Sequence, residues 1–145
     1  MKLTNRRAKR DYKIIDIFEA GIALIGFEVK SIKDGRGDLT SSFVRIRNSE
    51  AWLVGANIPQ YGGTTNAEYD PLRTRKLLLH KEEIISLGTK THQEHLTLVP
   101  ISLYTRGRLV KAKIALAKGK REYEKREAKR RKDIERDVER ELKNS

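Results

Sequence analysis

From residue 118 to its end, the chain has almost no large apolar side chains, which limits what that segment can fold into. Residues 118–145 contain 12 Lys or Arg and 8 Asp or Glu, and their few large apolar residues are Tyr123, Ile134, Val138 and Leu142. A segment of this composition cannot bury enough apolar surface to fold alone. The sequence therefore predicts two parts, a globular body over residues 1–117 and a charged tail over residues 118–145.

The net charge of +12 points to an anionic partner, because an excess of this size raises the local concentration of polyanions. Nucleic acid, an anionic membrane and an acidic protein are the candidates. The 145 residues contain no apolar run of the roughly 20 residues that a membrane span needs, and no apolar run follows the first charges as in a secretory signal. The absence of cysteine excludes disulfides, thiolate metal sites and cysteine nucleophiles. These features predict a soluble cytoplasmic protein that acts on a polyanion.

Short segments rich in β-branched and aromatic residues, separated by turn residues, indicate a mainly β body. Glu19-Ala20 and Asn48-Ser49 are predicted as turns. The predicted strands cover residues 12–18, 21–26, 43–47, 51–54, 96–104 and 108–117. Six strands with hairpin links favour a small closed antiparallel barrel of the oligonucleotide-binding (OB-like) type, because closure removes the unpaired edges of a sheet.

Two short helices are predicted between these strands. Residues 27–33 have apolar side chains three apart and are followed by Gly35, a typical helix end. Asp70-Pro71 resembles a helix start, and a Leu- and Ile-rich run continues from there to Gly88. We therefore expect two or three short helices on the barrel.

The basic residues of the tail recur at intervals of three and four, so a helical tail would carry one basic stripe. The stripe comprises Lys118, Arg121, Lys125, Lys129, Lys132, Arg136, Arg140 and Lys143. Acidic residues spaced between them could pair at i+3 or i+4. Two interpretations remain open: a solvated or disordered tail, and a segment that is disordered when free and becomes helical along an RNA groove.

The sequence contains no constellation that indicates catalysis. His92 and His95 lie three apart without a third ligand nearby, and the zinc-protease spacing is absent. The glycine-containing segments lack the spacing of phosphate-binding loops, and no Ser/His/Asp set can be assembled without arbitrary choice. We therefore predict a binding protein with no metal and no cofactor.

Basic residues of the body are candidates for RNA contacts. Lys111 and Lys113 share one face of the last predicted strand, together with Ala115. Further groups precede the first strand and open the second predicted helix: Arg6, Arg7, Lys9, Arg10, Arg73, Arg75 and Lys76. Such side chains reach phosphates, and Arg also stacks on unpaired bases. Because no aromatic-rich RNA motif is present, we expect recognition of shape and backbone more than of base edges.

Several motifs resemble those of the SsrA-binding protein (SmpB) family, in the family's order from about residue 5 to residue 126. They are Glu19-Ala20-Gly21-Ile22, Glu28-Val29-Lys30-Ser31, Asp70-Pro71-Leu72-Arg73-Thr74-Arg75-Lys76-Leu77-Leu78-Leu79-His80, Leu98-Val99-Pro100 with Tyr104, and Ala115-Leu116-Ala117-Lys118-Gly119-Lys120. The resemblance implies a non-catalytic protein that binds the tRNA-like domain of transfer-messenger RNA (tmRNA). It also implies delivery of that RNA to stalled ribosomes, with the tail in the message channel near the small-subunit decoding site. We expect a monomer.

The resemblance also implies site residues. By position, the RNA contacts of the family correspond to Asn5, Glu19, Leu78 and Lys111, and Arg10 stands where many relatives have His. With the basic residues above, the predicted RNA-binding set is Asn5, Arg10, Glu19, Arg75, Leu78, Lys111 and Lys113. Glu124-Lys125-Arg126 aligns with an Asp-Lys-Arg motif. The predicted ribosome-channel set is Lys118, Lys120, Arg121, Glu124, Lys125, Arg126, Lys129, Lys132 and Arg136.

Two other hypotheses are compatible with a basic β protein. A general single-strand nucleic-acid binder or ribosomal protein would show little preference between structured and unstructured RNA. An RNA-modifying or RNA-cleaving enzyme would need an acid/base or metal site, and would turn over labelled RNA.

Overall fold

The computed structural model describes residues 2–62, 67–120 and 122–144. Within these residues the protein is mainly β, with seven strands and four helices. In chain order the elements are β1 (Lys2–Thr4), α1 (Arg6–Asp11), β2 (Tyr12–Ile22), α2 (Gly26–Lys33), β3 (Phe43–Arg47), β4 (Glu50–Val54), β5 (Arg75–Leu78), α3 (Lys81–Gln93), β6 (Thr97–Arg106), β7 (Leu109–Gly119) and α4 (Glu122–Asn144).

The strands form one antiparallel sheet, and six of them pair in a cycle in the order β3, β4, β5, β2, β7, β6. The cycle returns from β6 to β3 through a pairing of Val44 with Leu98. The remaining strand, β1, pairs with residues 102–104 of β6. Strand β7 pairs along one edge of β6, so β3 and β1 share the other edge, β3 at Leu98 and β1 at residues 102–104. Strand β1 is not among the predicted strands, because three residues are too few to show a period.

The hairpin of β3 and β4 confirms its prediction. Its two-residue loop consists of Asn48 and Ser49, whose φ angles are 52° and 62°. Positive φ at both loop residues gives the turn a twist that matches the flanking strands.

The predicted break at Glu19-Ala20 is wrong. Strand β2 continues from Tyr12 to Ile22 and pairs with β7 along that length, with a register shift between Ile14 and Asp16. The glycine that suggested a boundary, Gly21, lies inside the paired region opposite Leu78 and Lys111.

The predicted helix start at Asp70 is also wrong. Asp70 instead accepts a hydrogen bond from the Leu72 amide at 2.9 Å within a turn. Arg75 and Leu77 are buried while their neighbours on β5 are exposed, which is the alternation of a strand. The helix begins only at Lys81 and continues past Gly88 to Gln93.

Two apolar clusters lie on opposite faces of β6 and β7. The larger one fills the space enclosed by the strand cycle and includes Leu53, Leu77, Leu103 and Ile114, each almost fully buried. The smaller one lies under α1, a helix that the sequence analysis did not predict, and contains Ala8, Val99, Ile101, Ala115 and Ala117. Helix α1 therefore covers one end of the outer face of β6 and β7, and the rest of that face carries Lys111, Lys113, Tyr104, Arg106 and the exposed Leu109.

Strand β7 extends two residues past the predicted body, to Gly119, and pairs there with Lys13 and Tyr12 of β2. Helix α4 contains 23 residues. The division at residue 117 and the disorder of the free tail stay predictions.

Candidate nucleic-acid interface

A row of side chains crosses the outer face of four neighbouring strands. Leu78 of β5 pairs with Gly21 of β2, Gly21 pairs with Lys111 of β7, and Lys111 pairs with Tyr104 of β6. Directly paired residues of antiparallel strands point to the same face of a sheet. The register therefore brings together two of the predicted RNA contacts, Leu78 and Lys111, with only a glycine between them.

Gly21 permits a close approach of Leu78. A Cβ atom at position 21 would lie 3.2 Å from the Cβ of Leu78, which is tighter than an ordinary contact. Leu78 itself is 54% exposed, although it belongs to a Leu-rich run. An apolar side chain held on the surface beside a lysine offers a contact for a base or a ribose.

Glu19 lies in the next row, opposite Lys113 of β7. Its Oε1 accepts a hydrogen bond from Arg106 Nη1 at 3.1 Å, and its Oε2 accepts one from the Tyr104 hydroxyl. Lys113 is exposed and Lys111 is half-buried. Four predicted contacts, Glu19, Leu78, Lys111 and Lys113, are thus adjacent on one face.

A pocket of about 590 Å³ opens beside this row, between the sheet and the start of α3. Glu19, Leu78 and Lys111 line it on the sheet side. Lys76 of β5 also lines it on the sheet side, and His80 and Lys81 line it where α3 begins. Lys76 was among the basic residues considered as RNA contacts, whereas His80 and Lys81 were not assigned to a site. Because residues 75–78 form a strand, Lys76 and Leu78 fall on the same outer face.

Arg75 does not lie on this exposed face, and its contact with RNA stays a prediction. Its side chain is 0% exposed, and its guanidinium donates to Glu28 Oε2 from Nε at 2.8 Å and from Nη2 at 2.6 Å. It also donates to the carbonyl oxygens of Ala56 and Pro71. The sequence does not reveal that Glu28 is the partner of Arg73 and Arg75, so these two residues resembled a phosphate site.

Glu28 is the centre of this buried cluster, which also contains Tyr69 and Arg73. Its carboxylate accepts hydrogen bonds from Arg73, from the Tyr69 hydroxyl at 2.8 Å and from the Ile25 amide at 2.8 Å, which caps α2. Burial alone would raise the pKa of Glu28, but the hydrogen bonds from Arg73, Ile25, Tyr69 and Arg75 outweigh burial and lower the pKa to about 2. Burial and the adjacent Glu28 carboxylate raise the pKa of Tyr69 to about 12.

Asn5 and Arg10 belong to the segment around α1 and not to the strands that carry Glu19, Leu78 and Lys111. Asn5 is buried at the start of α1, and its Nδ2 donates to the Pro100 carbonyl at 2.9 Å. Its Oδ1 has no hydrogen-bond partner in the described part of the chain. The Arg10 side chain is exposed, with its Nε 3.4 Å from a carboxylate oxygen of Asp11.

Of the predicted tail residues, Lys118 and Lys120 are exposed at the end of the body, and Lys132 and Arg136 are exposed on α4. Arg136 pairs with Asp133 one turn before it. Arg121 lies outside the described residues, as do the side chains of Glu124, Lys125, Arg126 and Lys129.

The described residues form neither a metal site nor a membrane-spanning helix. No group of three or more His, Asp or Glu side chains among them is arranged to bind a metal ion. None of the helices described combines the length and apolar composition needed to cross a membrane.

Comparisons with known proteins agree with one another. Residues 2–144 match the profile of the family described as SmpB protein. An SsrA-binding protein from Rhodococcus jostii is 48% identical over 96% of this chain and 88% of its own length. An SsrA-binding protein from Rubrobacter xylanophilus is 48% identical over 96% of this chain and 93% of its own length. A solved structure described as "tmRNA-SmpB: a journey to the center of the bacterial ribosome" is 46% identical and superposes with a TM-score of 0.72 over 90% of this chain and 95% of that one. The chain belongs to the SmpB family.

Proposed function

We propose that this protein binds the tRNA-like domain of tmRNA and delivers that RNA to stalled ribosomes during trans-translation. Family membership over residues 2–144 is the observation that carries the proposal. The net charge of +12 and the neighbouring side chains of Leu78, Lys111, Lys113 and Glu19 supply surface chemistry suited to a folded RNA. We propose a protein that acts in the cytoplasm as a monomer, without a cofactor and without catalysing a reaction.

The outer face of β2, β5 and β7 is the proposed contact surface. Lys111 and Lys113 would neutralise phosphates, and each neutralised phosphate adds a counterion-release contribution to the affinity. Leu78 would pack on a base or sugar, and Glu19 would accept from a hydroxyl or an amino group. Asn5 and Arg10 would form a second contact region near α1. Arg75 acts indirectly, because it ties the start of β5, the strand that carries Leu78, to Glu28.

The proposed architecture beneath this surface is a closed barrel of the OB-like type. The support is the cycle of six paired strands, which includes the return pairing of β6 with β3. A closed barrel holds its surface strands in a fixed register, which suits recognition of RNA shape.

For the tail, we propose insertion into the message channel of the ribosome near the small-subunit decoding site. The exposed Lys132 and Arg136 of α4 support contact with ribosomal RNA. The tail would be disordered when free and gain its helix on the ribosome, because a helix that packs little apolar surface is marginal in water.

The test of RNA recognition is a binding series with three RNAs of equal length: the tRNA-like domain of tmRNA, an ordinary tRNA and an unstructured RNA. We expect a preference for the first that persists as salt rises. Lys111→Ala should lower the salt slope of that binding by about one, whereas Lys90→Ala on α3 should not. Equal binding of all three RNAs, fading together with salt, would support a general nucleic-acid binder instead.

The test of delivery is a chain that ends at Lys120. Lys118 and Gly119 are kept because both pair with β2. This chain should bind the tRNA-like domain as the full chain does and fail to support tagging on stalled ribosomes. Normal tagging by the shortened chain would remove the tail from the proposed mechanism.

A further inference from the structure

Glu19 is a carboxylate among cations on a surface proposed to face RNA. Lys113 is its register partner, and Lys111 pairs with the residue two positions along β2. A carboxylate close to phosphates costs affinity unless it makes a compensating contact. The structure offers a specific reason for its presence, because two residues from a strand that is not adjacent to β2 reach Glu19.

Tyr104 and Arg106 lie on β6, and the whole of β7 separates β6 from β2. Adjacent strands are about 4.8 Å apart, so the side chains bridge a gap of roughly 10 Å between backbones. The Tyr104 hydroxyl donates to Glu19 Oε2, while Arg106 donates to Oε1 at 3.1 Å. The bridge passes over β7 between Lys111 and Lys113, the partners of Tyr104 and Glu19.

These two contacts leave Glu19 able to accept further hydrogen bonds. A carboxylate has about four acceptor positions, and Tyr104 and Arg106 occupy one on each oxygen. The Glu19 side chain is 36% exposed, so the remaining positions are accessible. With both oxygens engaged, rotation of the carboxylate about its last bond is restricted.

We propose that Tyr104 and Arg106 are positioning residues that hold the Glu19 carboxylate as an oriented hydrogen-bond acceptor for an RNA donor, either a base amino group or a ribose 2′-hydroxyl. The inference rests on the proposed function and deepens it, since it assigns a chemical role to a carboxylate of the contact surface. Tyr104 contributes more than Arg106. The Arg106 side chain is 68% exposed, and solvent weakens an ion pair of that exposure.

The alternative is that Glu19 serves Arg106, by aiming the guanidinium at a phosphate. The two arrangements differ in which substitution affects binding. If Glu19 is the contact, losing the Tyr104 hydroxyl weakens binding without changing its salt dependence. If Arg106 is the contact, removing its charge lowers the salt slope by about one.

The experiment is a double-mutant cycle with Glu19→Gln, Tyr104→Phe and Arg106→Gln, measured as the affinity for the tRNA-like domain of tmRNA over a salt series. Tyr61→Phe and Arg108→Gln are the matched controls. Thermal unfolding of each variant checks that the fold is kept. We expect Glu19→Gln to weaken binding roughly tenfold and Tyr104→Phe roughly fivefold, in line with hydrogen bonds to a charged group. The Glu19→Gln/Tyr104→Phe double variant should be no weaker than Glu19→Gln alone.

Three outcomes would overturn the inference. Wild-type affinity of Tyr104→Phe together with weakened binding of Glu19→Gln would remove the positioning role and leave the proposed function intact. A lower salt slope for Arg106→Gln, additive with Glu19→Gln, would make Arg106 the phosphate contact. Wild-type affinity of Glu19→Gln would remove Glu19 from the interface, and the inference would fail together with that part of the proposed function.

Discussion

The protein contains two clusters with the same chemistry in different surroundings, each a glutamate bound by tyrosine and arginine. Glu28 meets Tyr69, Arg73 and Arg75 in the interior, and Glu19 meets Tyr104 and Arg106 on the outer face. We call them the buried cluster (Glu28, Tyr69, Arg73 and Arg75) and the surface cluster (Glu19, Tyr104 and Arg106). Their comparison separates what residue types determine from what burial determines.

In the buried cluster, the surroundings make each charge depend on its partner. Glu28 and Arg75 are fully buried, so the loss of Glu28 would leave the Arg75 charge away from water without a carboxylate, and the loss of Arg75 would leave Glu28 with Arg73 alone as its cation. The surface cluster is partly hydrated, and water replaces any partner that is removed. The same three residue types therefore stabilise the fold at one place and remain available to a ligand at the other.

The largest difference is expected when the carboxylates are neutralised. Glu28→Gln should lower the free energy of unfolding by about 3–5 kcal/mol, because it leaves Arg75 buried and unpaired. Glu19→Gln should change it by no more than about 0.5 kcal/mol. Urea denaturation of both variants measures this. Adding Arg75→Met to Glu28→Gln should recover part of the lost stability. Equal destabilisation by Glu28→Gln and Glu19→Gln would contradict the expected difference between the two clusters.

The two clusters should also differ in how much they contribute to the loss of stability at low pH. The pKa of Glu28 is about 2 in the folded protein against an ordinary value of 4.5, so its stabilisation is complete above pH 4.5 and is lost as the pH falls towards 2. At about 1.4 kcal/mol for each pKa unit, the wild type should lose about 3 kcal/mol over that range on account of Glu28. Denaturation curves between pH 6 and pH 2 should show this loss in wild type and Glu19→Gln. In Glu28→Gln the curve should be flatter, and an unchanged slope would contradict the assignment.

A smaller effect is expected from a substitution beside Leu78 on the outer face. Gly21→Ala places a methyl group 3.2 Å from Leu78 Cβ, and Leu78 must move by a few tenths of an ångström. Since Leu78 is on the surface, we expect a stability loss under about 1 kcal/mol and RNA binding weakened severalfold. Calorimetry and the binding series measure the two effects. Gly26→Ala is the matched control, because a Cβ there meets nothing within 4 Å.

The smallest effect is expected from removing the tail. A chain that ends at Lys120 keeps both clusters and both apolar cores, so its denaturation midpoint should match that of the full chain within about 0.5 kcal/mol. A larger loss would mean that α4 supports the body, and stability could not then be assigned to the buried cluster alone.

The sequence predicted the elements whose signal is local. The β3–β4 hairpin and α2 are where periodicity and turn residues placed them. The errors at Gly21 and Asp70 arose where tertiary contacts override local preference. Gly21 lies inside the long strand β2, opposite Leu78, whose side chain leaves little room for a larger residue at position 21. The Leu-rich run after Asp70 contains strand β5, in which Arg75 and Leu77 both face inward.

The site was also predictable only where its signal is local in the sequence. Lys111 and Lys113 follow from alternation along one strand, whereas Glu19 and Leu78 entered only through resemblance to a family. The burial of Arg75 could not be predicted, because its partner Glu28 is 47 positions away in the sequence. Tyr104 and Arg106 could not be linked to Glu19 before the strand order was known, since they lie 85 and 87 positions from it.

The end of β7 bears on where the tail can reach. The Lys120 amide donates to the Asp11 carbonyl at 2.9 Å, so the backbone two residues before α4 is held at the junction of α1 and β2. A straight helix of 23 residues is about 35 Å long, so a tilt of about 10° at its base displaces its far end by about 6 Å. The position of the body on its RNA therefore fixes where the chain enters α4, and the direction of the helix from that point decides where its last turn lies.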